Sequence, residues 1–182
     1  MAEVMENTES QTRVIITGPE STGKTALCCD LARHYKGIVI PEYARTYISA
    51  LGRKYTYNDV VHIALKQLEQ MKEKRNLKAP FLFVDTYLII TKVWLRRVFG
   101  EVPGWIDQEI RNTYDALYLL CEPDIPWEPD SVRENGGFMR TVLLNEYLDE
   151  LKNARLNYYF INGIGEKRLN CAIEKVNKFI VR

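Results

Sequence analysis

Strand-length apolar runs that alternate with amphipathic helical stretches predict a three-layer α/β fold, with helices on both faces of a parallel five-stranded sheet. Two further observations narrow the class. The stretch Gly18-Pro-Glu-Ser-Thr-Gly-Lys-Thr25 satisfies the phosphate-binding pattern G-x-x-x-x-G-K-[ST] at every fixed position. The links between strands are also long enough for right-handed crossovers. Together they predict a three-layer P-loop NTPase fold, and residues 122–140 add a lid.

Residues 1–12 form a polar, acidic lead-in that is expected to be flexible, and residues 13–182 suit a single domain with a substantial core. Residues 13–17 (RVIIT) read as a buried strand entering the phosphate loop, and residues 26–33 read as the helix leaving it. A second strand spans 37–41. Asn58 or Asp59 is expected to cap a helix running to about residue 75, with Val61, Ala64, Leu65, Leu68 and Met71 as its apolar stripe. Residues 81–85 (FLFVD) are the third strand, followed by helical stretches over 87–99 and 105–114. The fourth strand is 116–121. Residues 122–140 combine prolines, adjacent glycines and charges, which suits a mobile lid better than core structure. A helix over 139–155, a fifth strand over 158–162 and an amphipathic helix over 166–180 complete the chain.

Composition argues against several classes of partner. A net charge of +1 gives no global attraction to nucleic acid or to membranes. No apolar run is long enough to span a bilayer, and the N-terminal residues lack the apolar segment of a secretion signal, so a cytoplasmic protein is expected. Cys28, Cys29, Cys121 and Cys171 lack paired C-x-x-C spacing and read as reduced core residues, with no zinc site expected.

The phosphate loop supplies the chemistry. Gly18 and Gly23 let the backbone turn and approach phosphates, while Pro19, Glu20, Ser21 and Thr22 span the loop whose N–H groups and helix dipole meet the negative charge. Lys24 is expected on the β- and γ-phosphates of ATP, and Thr25 offers its hydroxyl to Mg²⁺. Ligands of such sheets bind beyond the carboxyl ends of the strands, where Glu42 and Asp85 also fall. Asp85 follows four apolar residues and reads as a Walker-B acid on the magnesium side, the competing reading being a helix N-cap. Glu42 stands where an acceptor hydroxyl would arrive and is the candidate for taking its proton, the competing reading being a salt bridge to Arg45. Either acid can serve as base. Arg133 and Arg140 lie in or beside the lid, where closure would carry their charge onto the transferring phosphoryl group. Tyr43, Tyr47, Trp94 and Trp105, with Trp127, are candidates for a stacking wall against a flat ring, although aromatic residues more often fill cores.

These motifs, in order, resemble the ribosylnicotinamide kinase domain at the C-terminus of NadR proteins and related P-loop ATPases. The resemblance rests on the phosphate loop, Glu42-Tyr-Ala-Arg-Thr-Tyr47, Phe83-Val-Asp-Thr86 with Thr91-Lys-Val-Trp94, and Pro126-Trp-Glu-Pro-Asp-Ser-Val-Arg133. It implies a nucleoside-kinase-like arrangement of the P-loop fold, and phosphorylation by ATP and Mg²⁺ of the 5′-hydroxyl of ribosylnicotinamide, a small-molecule nucleoside, giving nicotinamide mononucleotide for NAD salvage. Glu42, Tyr43, Arg45, Tyr47, Trp94, Trp105 and Asp130 are the expected acceptor-binding residues. Where relatives read Asp-Thr-Asp after the third strand, Asp85-Thr86 is here followed by Tyr87. Neither His34 nor His62 stands in the H-x-G-H signature of adenylyl transfer, so the product is expected to remain the mononucleotide. Two other readings compete: a kinase of another nucleoside, and a nucleotide-switched regulatory ATPase. The guanine signature N-K-x-D is absent, since Asn177-Lys178 is followed by Phe179-Ile180.

Overall fold

The computed structural model describes residues 11–75, 77–130 and 133–181. Most of the expected lead-in, residues 1–10, lies outside the described residues, as do residues 131–132 of the expected lid. In chain order the elements are β1 (Thr12–Thr17), α1 (Lys24–Tyr35), β2 (Ile38–Ile40), α2 (Tyr43–Ala50), α3 (Tyr57–Lys74) and β3 (Phe81–Asp85). There follow α4 (Leu88–Phe99), α5 (Gly104–Arg111), β4 (Leu117–Cys121), α6 (Met139–Asn153), β5 (Asn157–Ile161) and α7 (Glu166–Ile180). The five strands lie in the order β2-β3-β1-β4-β5, and every pairing is parallel.

Alternation along the strands divides the core into two layers. Ile15, Leu82, Val84, Tyr118 and Leu120 face one side, where they meet Val60 and Ala64 of α3, Leu88 and Val93 of α4, Ile106 of α5, and Leu143 of α6. Val14, Ile16, Phe83, Leu117 and Leu119 face the other, against Leu27, Cys28 and Leu31 of α1 and Ala172 and Val176 of α7. Burying each Val, Leu, Ile or Phe side chain among them contributes about 1.5–3 kcal/mol. Both sheet faces are therefore covered, as an all-parallel sheet requires.

Several local expectations change. Residues 43–50 form a helix that the sequence did not announce, because α2 is only eight residues long and carries no fully buried residue. The N-cap of α3 is Thr56, and Asp59 is its third helical residue within a capping box. Cys28 and Cys121 are core residues as expected, whereas Cys29 is exposed and Cys171 only partly covered. Among the described residues no helix is long and apolar enough to cross a membrane.

Asp59 ties α2 to α3. Its carboxylate accepts hydrogen bonds from the Thr56 N–H at 2.7 Å, the Tyr47 hydroxyl at 2.8 Å, and both terminal nitrogens of Arg53 at 2.7 and 2.9 Å. The Arg53 bonds first, then those from Thr56, hold the carboxyl well below the usual carboxylate range. A depressed carboxylate contributes stability that is present above the unfolded pKa and is lost as pH falls. Asp59→Asn is therefore expected to lower the melting temperature at neutral pH, with the difference from wild type shrinking in acid. Thermal melts at a series of pH values test this, and a difference that grows in acid would contradict it.

Candidate active site at the carboxyl ends of β1 and β3

The phosphate loop joins β1 to α1 and takes its shape from its glycines. Gly18 has φ 141°, and a Cβ there would stand 2.6 Å from the Cys121 carbonyl oxygen, a clash with rigid backbone. Gly23, at φ 72°, is the N-cap of α1, so Lys24 and Thr25 occupy the helix's first turn, where free N–H groups collect. Thr22 Oγ1 and Lys24 Nζ donate to the Pro19 carbonyl at 2.9 and 2.7 Å.

The register of β1 with β3, in which Ile16 faces Asp85, brings the last acid of β3 to the loop. Thr25 Oγ1 donates to Asp85 Oδ2 at 2.5 Å. The other carboxylate oxygen, Oδ1, is buried with no partner among the described residues. Asp85 does not cap a helix: the N-cap of α4 is Tyr87, and no side chain bonds it. Thr86 holds a left-handed φ of 65°, uncommon for a β-branched residue, and its N–H donates to the Ile16 carbonyl at 3.0 Å. That turn holds Asp85 against the loop. A hydroxyl beside a carboxylate with one orphaned oxygen is a hard oxygen donor set, which fits Mg²⁺. Burial raises the Asp85 carboxyl above its ordinary value, against the opposing effects of the Thr25 hydrogen bond and then of Lys24.

Glu42 follows β2 and is the N-cap residue of α2, but its side chain makes no capping hydrogen bond. Burial pushes its carboxyl up; Lys24 and Arg45 oppose this, while Asp85 and Glu20 reinforce it. The Arg45 contact is loose, with Nε 3.8 Å from Glu42 Oε2. Arg45 bonds Asp130 instead, at 2.8 Å.

A cavity of about 230 Å³ opens from the phosphate loop. Gly18, Glu20, Lys24, Glu42, Arg45 and Arg133 line its charged end, and Ile48, Tyr55, Ile90, Trp94 and Val98 supply apolar and aromatic surface. Of the five aromatic candidates only Trp94 lines it. Tyr43 and Tyr47 cluster with His62, with the Tyr43 hydroxyl 3.2 Å from His62 Nε2. Trp105 packs on the core. Tyr87, which follows Asp85-Thr86, is buried in the core and does not line the cavity.

The arginines divide. Arg133 lines the cavity, its Nε 3.1 Å from Asp130 Oδ2 and one terminal nitrogen donating to the Glu128 carbonyl. Asp130 thus sits between Arg45 and Arg133 rather than on the cavity wall. Arg140 begins α6, is buried, and donates to the carbonyls of Ser21 at 2.9 Å and Ile125 at 2.8 Å. It braces the phosphate loop from behind.

Three arrangements escaped the sequence reading. Glu20 accepts from the Asn135 N–H at 2.9 Å and Nδ2 at 3.0 Å, joining the phosphate loop to the segment before α6. Tyr55 meets Trp94 edge-on, with ring centroids 4.8 Å apart. Gln67, Thr86 and Thr91 form a buried polar floor. Only Gln67 left a signal: it falls four residues after Ile63 and four before Met71, a polar residue on a buried helical stripe.

A family model described as an AAA domain matches residues 13–168. No curated protein matches the chain in sequence. Among solved structures, a NadR protein in complex with NR superposes with TM-score 0.76 at 22% identity, covering 93% of this chain and 51% of that one. A NadR protein in complex with NAD and AMP-PNP gives TM-score 0.75 at 21% identity, over 93% and 49% of the two chains. A thymidylate kinase from Ehrlichia chaffeensis gives 0.64 at 12% identity, over 93% and 98%. This chain spans about half the length of the NadR chains. The resemblance read from the motifs thus extends to the fold, a P-loop fold shared with nucleoside and nucleotide kinases.

Proposed function

Because the chain belongs to the AAA-domain family, its phosphate loop is the premise from which we propose an ATP-dependent kinase that phosphorylates the 5′-hydroxyl of ribosylnicotinamide, giving nicotinamide mononucleotide. One observation carries this reading: Lys24 and Glu42 line the same cavity as the Trp94 ring. That arrangement lets a phosphate donor and a ring-bearing acceptor meet in one space. The NadR protein of like fold in complex with NR supports the choice of acceptor.

In the proposed reaction Glu42 takes the proton of the acceptor hydroxyl, the freed oxygen attacks the γ-phosphorus of ATP, and the bond to the bridging oxygen breaks to release ADP. Lys24 and the loop N–H groups stabilise charge on the phosphates, an electrostatic contribution that is strongest in a site shielded from water. Thr25 and Asp85 would hold Mg²⁺, which neutralises charge on the β- and γ-oxygens when bound. Asp85→Asn is accordingly expected to raise the Mg²⁺ concentration needed for half-maximal rate, with acceptor KM little changed. Metal titration at saturating acceptor checks this, and an unchanged requirement would remove Asp85 from the metal.

Arg133 is proposed to exchange its contacts with Asp130 and Glu128 for the transferring phosphoryl group. Arg133→Ala is then expected to lower kcat more than it raises the acceptor KM. A pure KM effect would place it in ground-state binding. The acceptor itself is tested by kcat/KM across ribosylnicotinamide, its reduced uncharged form, adenosine, cytidine and their deoxy forms. The charged pyridinium is expected to be preferred, because a cation over an aromatic face gains roughly 0.5–2 kcal/mol. Equal use of charged and uncharged rings would contradict that cause.

A further inference from the structure

Three buried polar residues from three elements meet on the floor of the cavity: Gln67 of α3, Thr86 after β3 and Thr91 of α4, each no more than 5% exposed. The Thr91 hydroxyl donates to Gln67 Oε1 at 2.8 Å. With Oε1 engaged by Thr91, the donor end, Nε2, lies on the other side. The protein acceptor found for Nε2 among the described residues is Thr86 Oγ1, at 3.5 Å, the outer limit of a hydrogen bond. An amide NH₂ has two protons to place, and a buried donor without a good acceptor costs about 1–3 kcal/mol. The cavity wall above is apolar and aromatic, formed by Tyr55, Ile90, Trp94 and Val98. Such surfaces take a flat ring but cannot distinguish one ring from another.

We propose that Gln67 is the specificity-determining residue of the acceptor cavity, donating from Nε2 to a carbonyl oxygen on the edge of the substrate's ring. This deepens the kinase reading and rests on it. The class of acceptor it selects is a riboside whose planar ring bears an exocyclic carbonyl, such as a carboxamide or ketone. Thr91 acts as a positioning residue that keeps the amide in the donating orientation.

The test pairs ring chemistry with residue chemistry, using three ribosides: ribosylnicotinamide, 3-acetylpyridine riboside, which keeps the carbonyl and loses the amide N–H, and unsubstituted pyridine riboside, which has neither. In the wild-type protein the first two are expected to have similar kcat/KM and the third about tenfold less or worse. In Gln67→Met the loss between acetylpyridine and pyridine ribosides is expected to collapse to less than about threefold, with the dissociation constants following the same pattern. Thermal melting establishes that the variant is folded, and Gln67→Glu, which keeps the acceptor for Thr91 and removes the donor, supplies a second variant. If either folded variant retains the wild-type discrimination, the inference fails while the kinase reading stands. If the wild-type protein phosphorylates none of the ribosides, the kinase reading fails and the inference with it.

Discussion

Glu42→Gln is expected to lower turnover by about 10²–10⁴-fold, the range for loss of a positioned proton acceptor, and at the same time to raise the melting temperature at neutral pH. Both outcomes follow from where Glu42 sits. Its carboxyl is pushed up chiefly by burial, so at neutral pH the folded protein holds a charge in surroundings that disfavour it. The sign of the linkage is fixed: a folded-state pKa above the unfolded value means that the native state binds the proton more tightly. Stability is then greatest below the unfolded pKa and declines as pH rises through the folded one. The amide carries no charge, so the variant escapes that decline. Retaining a destabilising carboxylate makes sense at a reacting atom, where a base with a raised pKa is better matched to proton transfer. The rate should rise with pH through the Glu42 pKa in the wild-type protein and lose that limb in the variant. Thermal melts together with pH–rate profiles check the pair of effects. Normal turnover in Glu42→Gln would make the carboxylate structural, and a lower melting temperature would reverse the electrostatic account.

Lys24→Ala is expected to leave the fold intact and cut turnover by about 10²-fold or more. Lys24 is in the first turn of α1, its Nζ reaching back to the Pro19 carbonyl rather than into the core. No core contact is lost by truncating it, so the melting temperature should change little. The charge it places at the mouth of the cavity acts on the phosphates in the transition state, where one preorganised cation is worth several kcal/mol. Circular dichroism and steady-state kinetics separate the two effects. Wild-type turnover in the folded variant would remove Lys24 from the chemistry.

The strands and the phosphate loop were legible because each is signalled locally. β3 begins and ends where the apolar run FLFVD does, and α7 spans the expected 166–180. The loop's chemistry is written in contiguous residues, and the pairing of Thr25 with Asp85 follows once parallel register is assumed. What remained hidden depends on direction in space. Trp94 and Trp105 are alike as residues, yet one turns into the cavity from α4 and the other into the core from α5. Arg133 and Arg140 are equally cationic, but the start of α6 tucks Arg140 against the backbone of Ser21 and Ile125. α2 was missed because eight residues make only about two turns and none is fully buried, so the period of Tyr43, Ala44, Tyr47 and Ile48 is short and weakly marked. The clasp between Glu20 and Asn135 joins residues more than a hundred positions apart, and no local pattern predicts it.

The most direct measurement incubates the purified protein with ATP, Mg²⁺ and ribosylnicotinamide and quantifies ADP and phosphorylated riboside together. Nicotinamide mononucleotide and ADP are expected in equal amounts, with ADP release dependent on the riboside and lowered by about 10²–10⁴-fold in Glu42→Gln. ADP formed at the same rate without any riboside, and no phosphorylated nucleoside in its presence, would contradict the kinase reading and return the chain to a nucleotide-switched ATPase.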